Sequence, residues 1–558
     1  MLQGRFRWKA ILLLVVCSAL LGLGWFFLHE LQMPTIHGQY RTLATRAEEN
    51  EKFDRAVRFL WIYLLVKGDD VDARAQYGVL LEKLAKTPKE RRDVLDVYER
   101  VLEQDEANQD IRLGAAKRQD ICLRAAKLSM ELGRFENALA HLRFLQKADS
   151  SDPEVNILQG DCKWMKKESD KAKQQIQWKE AEGHYRTAIN RAPHKLEAYE
   201  RLAELLRNPQ KKRRETTKVV EDLQLAKATQ VMEDLIRANC QEFRAYLMRA
   251  AFRQSGDYLL KDGLPELGAG MLGWLALPLG QGSLFSASAL FSPKIGRDLA
   301  GAGQDLANAR KLAPDDADVL IASASQEILQ AREKGQTDPK SHLDRSRAYL
   351  QHARKHHPKD TRVLSQLAAV ELVAGRKKEA VDELRAAQKE ASGKERNRLL
   401  WELASLLVDD DNLAEAKELI GQMKKGGVPT HRLDFLGAKM AMRRGEWLGA
   451  VELLENARPL LMDNPGLVMQ ADLLLGLCFE QLNNADQQVV IYQRARKLDP
   501  LNPAPRLALA KSLSALGRLD DAIVECQKLR LLPNAPLESD FLYARLLIKR
   551  NSTLPPSE

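Results

Sequence analysis

Five turn-forming residues, Gly375, Asp411, Gly445, Asn483 and Gly517, follow one another at intervals of 36, 34, 38 and 34 residues. Five positions after four of them stands an alanine (Ala380, Ala416, Ala450, Ala522), with Gln488 in the remaining place. A period of this size constrains the fold more than length does, because each unit holds two helices and is too short to be a domain. Small residues let two antiparallel helices approach, and a residue that tolerates left-handed backbone ends the first of them. Such a hairpin leaves an apolar face bare, so the next hairpin must cover it and stability accrues between neighbours. Aromatic content of 6% beside 29% charged residues suits helices with modest side chains at their contacts.

The pattern recurs as LGRFENAL around Gly133, RTAINRAP ending at Pro193, LGLCFEQL followed by RARKLDP ending at Pro500, and LAKSLSALGRLDDAI around Gly517. These units resemble the tetratricopeptide repeat family. The resemblance runs from Arg41 to Lys549, weakest in the first unit, KFDRAVRFL, and several units lack the family's closing proline or first-helix aromatic. About ten to eleven units fit the length. The resemblance implies an all-α, right-handed superhelical solenoid of helical hairpins.

Residues 10–28, AILLLVVCSALLGLGWFFL, carry no charge and match the length of a membrane-spanning helix. Arg5, Arg7 and Lys9 precede this segment, and Glu30 is the first charge after it, so the positive-inside rule keeps the N-terminus cytoplasmic. The apolar run continues through Trp25, Phe26 and Phe27 with no small-x-small site, which favours an uncleaved signal anchor over a cleaved signal peptide. The expected organisation is a cytoplasmic N-terminus (1–9), a transmembrane signal-anchor helix (10–28), a linker (29–40), a first repeat block (41–257), an uncharged insertion (258–296), a second block (297–549) and a disordered tail (550–558). This would make a single-pass membrane protein of a bacterial cell envelope, with its repeats on the periplasmic side.

Three interruptions break the pattern. KESDKAKQQIQWK lengthens one inter-helix turn and reads as extended helix or helical loop, while the basic run Lys211 to Arg214 reads as a solvated loop. The third, uncharged from Leu267 to Pro293, is open to three readings: an apolar insertion, an interfacial or partner-binding loop, or a second span. Its glycines and Pro278 favour the first.

No HExxH, GxxxxGK[ST] or GxSxG motif is present, and the hairpins leave no room for a separate catalytic domain. A non-enzymatic protein without cofactor follows. The six cysteines lie far apart with no CxxC pair, which excludes a zinc ribbon and fits core cysteines. His352 and His356 share a helical face at i, i+4, a geometry that can hold a metal. With no cysteine near and the helix end close by, surface histidines are the expected account, and no metal is assigned. Basic residues number 86 against 77 acidic, a mixed balance that does not point to nucleic acid.

In the tetratricopeptide family a stripe along each first helix lines a concave groove. Carried over by position, the resemblance implies Lys127, Arg362, Arg398, Trp401, Arg432, Phe435, Lys439, Arg443 and Lys511 as the partner groove. This stripe is basic with apolar interruptions and would suit acidic or amphipathic segments of other proteins. Capture of an acidic chaperone C-terminus is not expected, because the asparagines it requires find no match. The resemblance implies a membrane-anchored interaction scaffold or assembly factor. The rival is an accessory or regulatory subunit of a membrane enzyme, secretion or transport complex that docks through 258–296.

Overall fold

The structure is a computed structural model that describes residues 38–553 apart from 86, 108–112, 149–151, 169, 208–217, 256–297, 332–337, 463, 501 and 533–534. The segment 10–28, the basic run 211–214, the insertion 258–296 and tail residues 554–558 therefore lie outside the described residues. Among the described residues there is no strand, and no helix is long and apolar enough to cross a membrane.

The chain separates into two compact units, Met1–Leu206 and Arg207–Glu558. The first holds α1 (38–49), α2 (Phe53–Val66), α3 (Val71–Leu84), α4 (Pro88–Ala107), α5 (Ala115–Glu131), α6 (Phe135–Ala148), α7 (Pro153–Met165) and α8 (Lys171–Arg191). These form four hairpins, and α9 (Leu196–Arg207) follows them. Within KESDKAKQQIQWK the helix α8 begins at Lys171, so the extra residues from there on extend it.

The second unit begins with α10 (Lys218–Ala238). It continues through α11 (Phe243–Ser255), α12 (Leu299–Leu312), α13 (Ala317–Ala331), α14 (Pro339–His356), α15 (Thr361–Val373), α16 (Lys377–Glu390), α17 (Gly393–Asp409) and α18 (Leu413–Lys425). Then come α19 (Thr430–Arg443), α20 (Trp447–Ala457), α21 (Pro465–Gln481), α22 (Ala485–Leu498), α23 (Pro503–Ala515), α24 (Leu519–Arg530) and α25 (Leu537–Thr553). From α11 to α24 each odd helix pairs with the even one after it, and each second helix packs on the next first helix.

The hairpin turns have one local cause. Gly133, Gly375, Gly445 and Gly517 adopt φ of 73°, 80°, 76° and 75°, and Asp411 and Asn483 take the same conformation at 62° and 52°. At Gly375 the amide of Arg376 reaches back to the Glu371 carbonyl (2.8 Å) and that of Gly375 to Leu372 (3.0 Å), which closes the orphan carbonyls at the helix end. Starts are set as cheaply: Asp152, Asp338, Asn464 and Asn502 each cap a first-turn amide with a proline next in line.

Packing follows from the alanines. Ala380, Ala416, Ala450 and Ala522 are fully buried where the second helix meets the first. Gln488, the exception, is buried too and donates to the Gly476 carbonyl at 3.2 Å, which satisfies a polar group that alanine would not bring. Closer still is the glycine-tyrosine contact. A Cβ on Gly160 in α7 would lie 2.5 Å from the ring of Tyr185 in α8, and Gly78 and Gly476 face Tyr98 and Tyr492 in the same way. The core then runs through consecutive hairpins, one cluster from Leu364 in α15 to Met440 in α19 and another from Met469 in α21 to Leu546 in α25.

Residues 258–296, expected to lie between two repeat blocks, are outside the described residues. Helices α11 and α12 flank this stretch and pack as the two halves of one hairpin, burying Ala250 against Ala302 and Leu306. The Asp298 amide donates to the Arg253 carbonyl at 3.1 Å, so the chain leaves and rejoins the hairpin at one place. Composition marks the interruption but carries no information on which helices pair across it.

Candidate functional site: the row of first helices

In the second unit the first helices lie side by side, α11 with α13, α13 with α15, α17 with α19, α19 with α21 and α23 with α25. The repeat geometry therefore sets helices distant in sequence side by side. Charged side chains reach from one first helix to the next. Arg362 on α15 pairs with Asp318 on α13 at 2.6 Å, Lys439 on α19 with Asp409 on α17 at 3.0 Å, and Lys511 on α23 with Glu538 on α25. The first unit repeats the device: Lys127 on α5 meets Glu154 on α7 at 2.7 Å, and Arg124 meets Glu82 on α3 at 2.8 Å.

The stripe expected to be a basic partner surface is thus largely neutralised within the chain. Arg398 binds Glu402 one turn on at 2.9 Å. Arg443 holds the last carbonyls of α17, Val408 at 3.2 Å and Asp409, where a cation also complements the helix dipole. Arg432 is half-buried. Trp401 stacks on Phe435 with ring centroids 6.1 Å apart, joining α17 to α19 by an apolar step.

Two stripe residues require correction as surface residues. Phe435 is 1% exposed and Lys439 5%, because close packing of α17 on α19 covers that side of the row. The Lys439 ammonium donates to Ser405 Oγ (2.8 Å) and to Asp409 (3.0 Å), so it clamps two helices together. Lys127, Arg362 and Lys511 keep 48%, 44% and 34% of their side-chain surface and remain accessible.

Buried carboxylates at the joints are not visible from periodicity. Asp472 on α21 is fully buried between Arg458 (2.5 Å) and Arg494 (2.6 Å). Glu371 on α15 lies between Arg347 (2.8 Å) and Arg376, and Asp305 on α12 between Arg249 (2.5 Å) and Arg253 (2.9 Å). Each carboxylate takes two guanidinium groups, which compensates its desolvation. Among the described residues Glu402 pairs with Arg398 alone, and burial pushes its carboxyl up to about 7.

Among the cysteines, Cys122, Cys162, Cys478 and Cys526 are buried as expected, and burial pushes the thiols of Cys162 and Cys478 up to about 12, which makes them unreactive. Cys240 departs from the core reading and is exposed, since it falls beyond the end of α10. The histidines gain a third partner that spacing does not reveal. Asp315, in the turn between α12 and α13, accepts from His352 Nε2 at 2.7 Å and lies 3.5 Å from His356 Nε2. His357 Nε2 meets the Asp315 carbonyl at 2.8 Å.

Stacked hairpins, left-handed turns and first helices set side by side define a helical-hairpin repeat solenoid. Residues 340–395, spanning α14 to the start of α17, match the tetratricopeptide repeat family model. The match lies within that stretch of this chain. No curated protein matches it. The crystal structure of yeast Tom70 is similar over 93% of this chain and 96% of its own, at 13% identity and a TM-score of 0.43. The hetero-tetramer Cut9-Hcn1 of the APC/C aligns over 92% and 96% at 13% identity and a TM-score of 0.34. A tetratricopeptide repeat protein of Parabacteroides merdae aligns over 45% and 93% at 12% identity and a TM-score of 0.36.

Proposed function

We propose that this protein is a non-catalytic protein-protein interaction scaffold or assembly factor. Residues 10–28 anchor it in a membrane, its N-terminus is cytoplasmic and its repeats lie on the periplasmic side of a bacterial envelope. The observation that carries the reading is the row of first helices, a preformed surface assembled from many hairpins, which loses little conformational freedom when a partner binds. The accessible cations of the first helices, Lys127 in the first unit and Arg362 and Lys511 in the second, already have carboxylate partners. A purely acidic segment would have to compete with those carboxylates, so an amphipathic segment that also covers apolar surface suits the row better.

The test is affinity capture of the full chain from solubilised membranes, compared with a variant carrying Lys127→Glu, Arg362→Glu and Lys511→Glu and with a deletion of 258–296. Exposed ion pairs contribute at most about 1 kcal/mol each, so the charge variant should fold, as circular dichroism would verify. Loss of partners with the charge variant supports the row; loss only with the deletion favours the rival, an accessory subunit of a membrane enzyme, secretion or transport complex that docks through 258–296. The rival draws support from the place of that stretch, which is appended to one hairpin and leaves the pairing of α11 with α12 intact. Protease treatment of intact cells and spheroplasts tests topology, and repeats protected in spheroplasts would overturn the periplasmic assignment.

A further inference from the structure

We infer that Asp315, His352 and His356 form a binding site for a divalent transition-metal ion of the zinc type. The three residues come from two consecutive hairpins. Asp315 lies in the turn joining α12 to α13, and the histidines occupy the last two turns of α14. Their ligand atoms all lie within 4.8 Å of one another. Both imidazoles present Nε2 to the same carboxylate oxygen, at 2.7 and 3.5 Å.

Those separations are the relevant measure. Ligand atoms bonded to zinc at about 2.0–2.1 Å in a tetrahedral shell sit about 3.3 Å apart. The two separations from Asp315, 2.7 and 3.5 Å, lie on either side of that value, and the widest separation among the three ligand atoms, at most 4.8 Å, closes by up to about 1.5 Å on binding, which rotation of the exposed imidazoles supplies. The rings stand 4.8 Å apart by centroid at 45°, as i, i+4 residues on one helical face do. Two imidazole nitrogens and one carboxylate oxygen make a borderline donor set that selects zinc-type ions over calcium or magnesium.

The backbone of the turn that carries Asp315 is held in place. His357 Nε2 contacts the Asp315 backbone carbonyl at 2.8 Å, and Asp316 accepts from the amides of Asp318 and Val319 at 2.9 and 3.1 Å, which fixes the turn. Solvent reaches the cluster from outside, with side chains 55% exposed at Asp315, 45% at His352 and 38% at His356. Water can therefore complete the shell, and ions can enter and leave. Bound metal would tie the α12–α13 turn to the C-terminal end of α14 and act as a staple between hairpins.

The experiment is isothermal titration of Zn²⁺ into the full chain in detergent, with Asp315→Asn, His352→Gln and His356→Gln as test variants and His342→Gln, at the other end of α14, as the control. One ion per chain at micromolar affinity is expected, weakened at least about tenfold by each test variant and unchanged in the control. Zn²⁺ should also raise the thermal midpoint of the wild type and of the control, and not that of the triple variant. Equal Zn²⁺ affinity in the triple variant and the wild type, or no binding below millimolar Zn²⁺, would overturn the assignment.

Discussion

Single residues decide how closely the two helices of a hairpin approach. Gly160 leaves no room for a side chain under the Tyr185 ring, where a Cβ would fall 2.5 Å away. Gly160→Ala should therefore cost about 1–3 kcal/mol, read as a lower urea midpoint of the first unit by tryptophan fluorescence. Glu402 sets a pH dependence. Its carboxyl titrates near 7 when folded because burial outweighs the single contact with Arg398, against about 4.3 in the unfolded chain. Between those values the folded state binds more protons, so this group's contribution strengthens as pH falls from 8 towards 5 and is lost as pH rises through 7. Glu402→Gln should remove that component, on the order of 3 kcal/mol across the window, and urea midpoints of wild type and variant at pH 5 to 8 would measure it.

At the scale of elements, turns and joints carry different energies. Asp411 occupies a left-handed turn at φ 62° that its neighbours Gly375 and Gly445 fill with glycine. Asp411→Gly should stabilise the second unit by up to about 1 kcal/mol, visible as a raised thermal midpoint. Asp472 is the opposite case, a buried carboxylate that two arginines from neighbouring elements require. Asp472→Ala would leave both guanidinium groups without it and should cost about 3–5 kcal/mol, which equilibrium denaturation would register. The basic stripe belongs to this scale as well: Lys439 and Arg443 join α19 to α17, so charge reversal there would probe folding instead of partner binding.

For the whole molecule, the placement of 258–296 inside a hairpin has a direct consequence. A protease site engineered between 258 and 296 should yield two fragments that stay together on size-exclusion chromatography. They would be held by the packing of Ala250 against Ala302 and Leu306 and by Arg249 and Arg253 on Asp305. Separation of the fragments without denaturant would contradict that pairing.

The sequence by itself determined the repeating unit. Gly375, Asp411, Gly445, Asn483 and Gly517, marked by spacing alone, all adopt positive φ, and the alanines that follow are buried, because turn conformation and close helix approach are local demands written into residue type. Partner surfaces were less legible. The spacing that placed Lys127, Arg362, Lys439 and Lys511 on first helices could not reveal carboxylates 27 to 44 residues away on the neighbouring first helix. Only tertiary structure decided that Phe435 and Lys439 are buried, that α11 pairs with α12 across the insertion, and that Asp315 meets His352 and His356. The reason is the same in each case: these contacts form between hairpins, where burial and charge pairing depend on which helices stack.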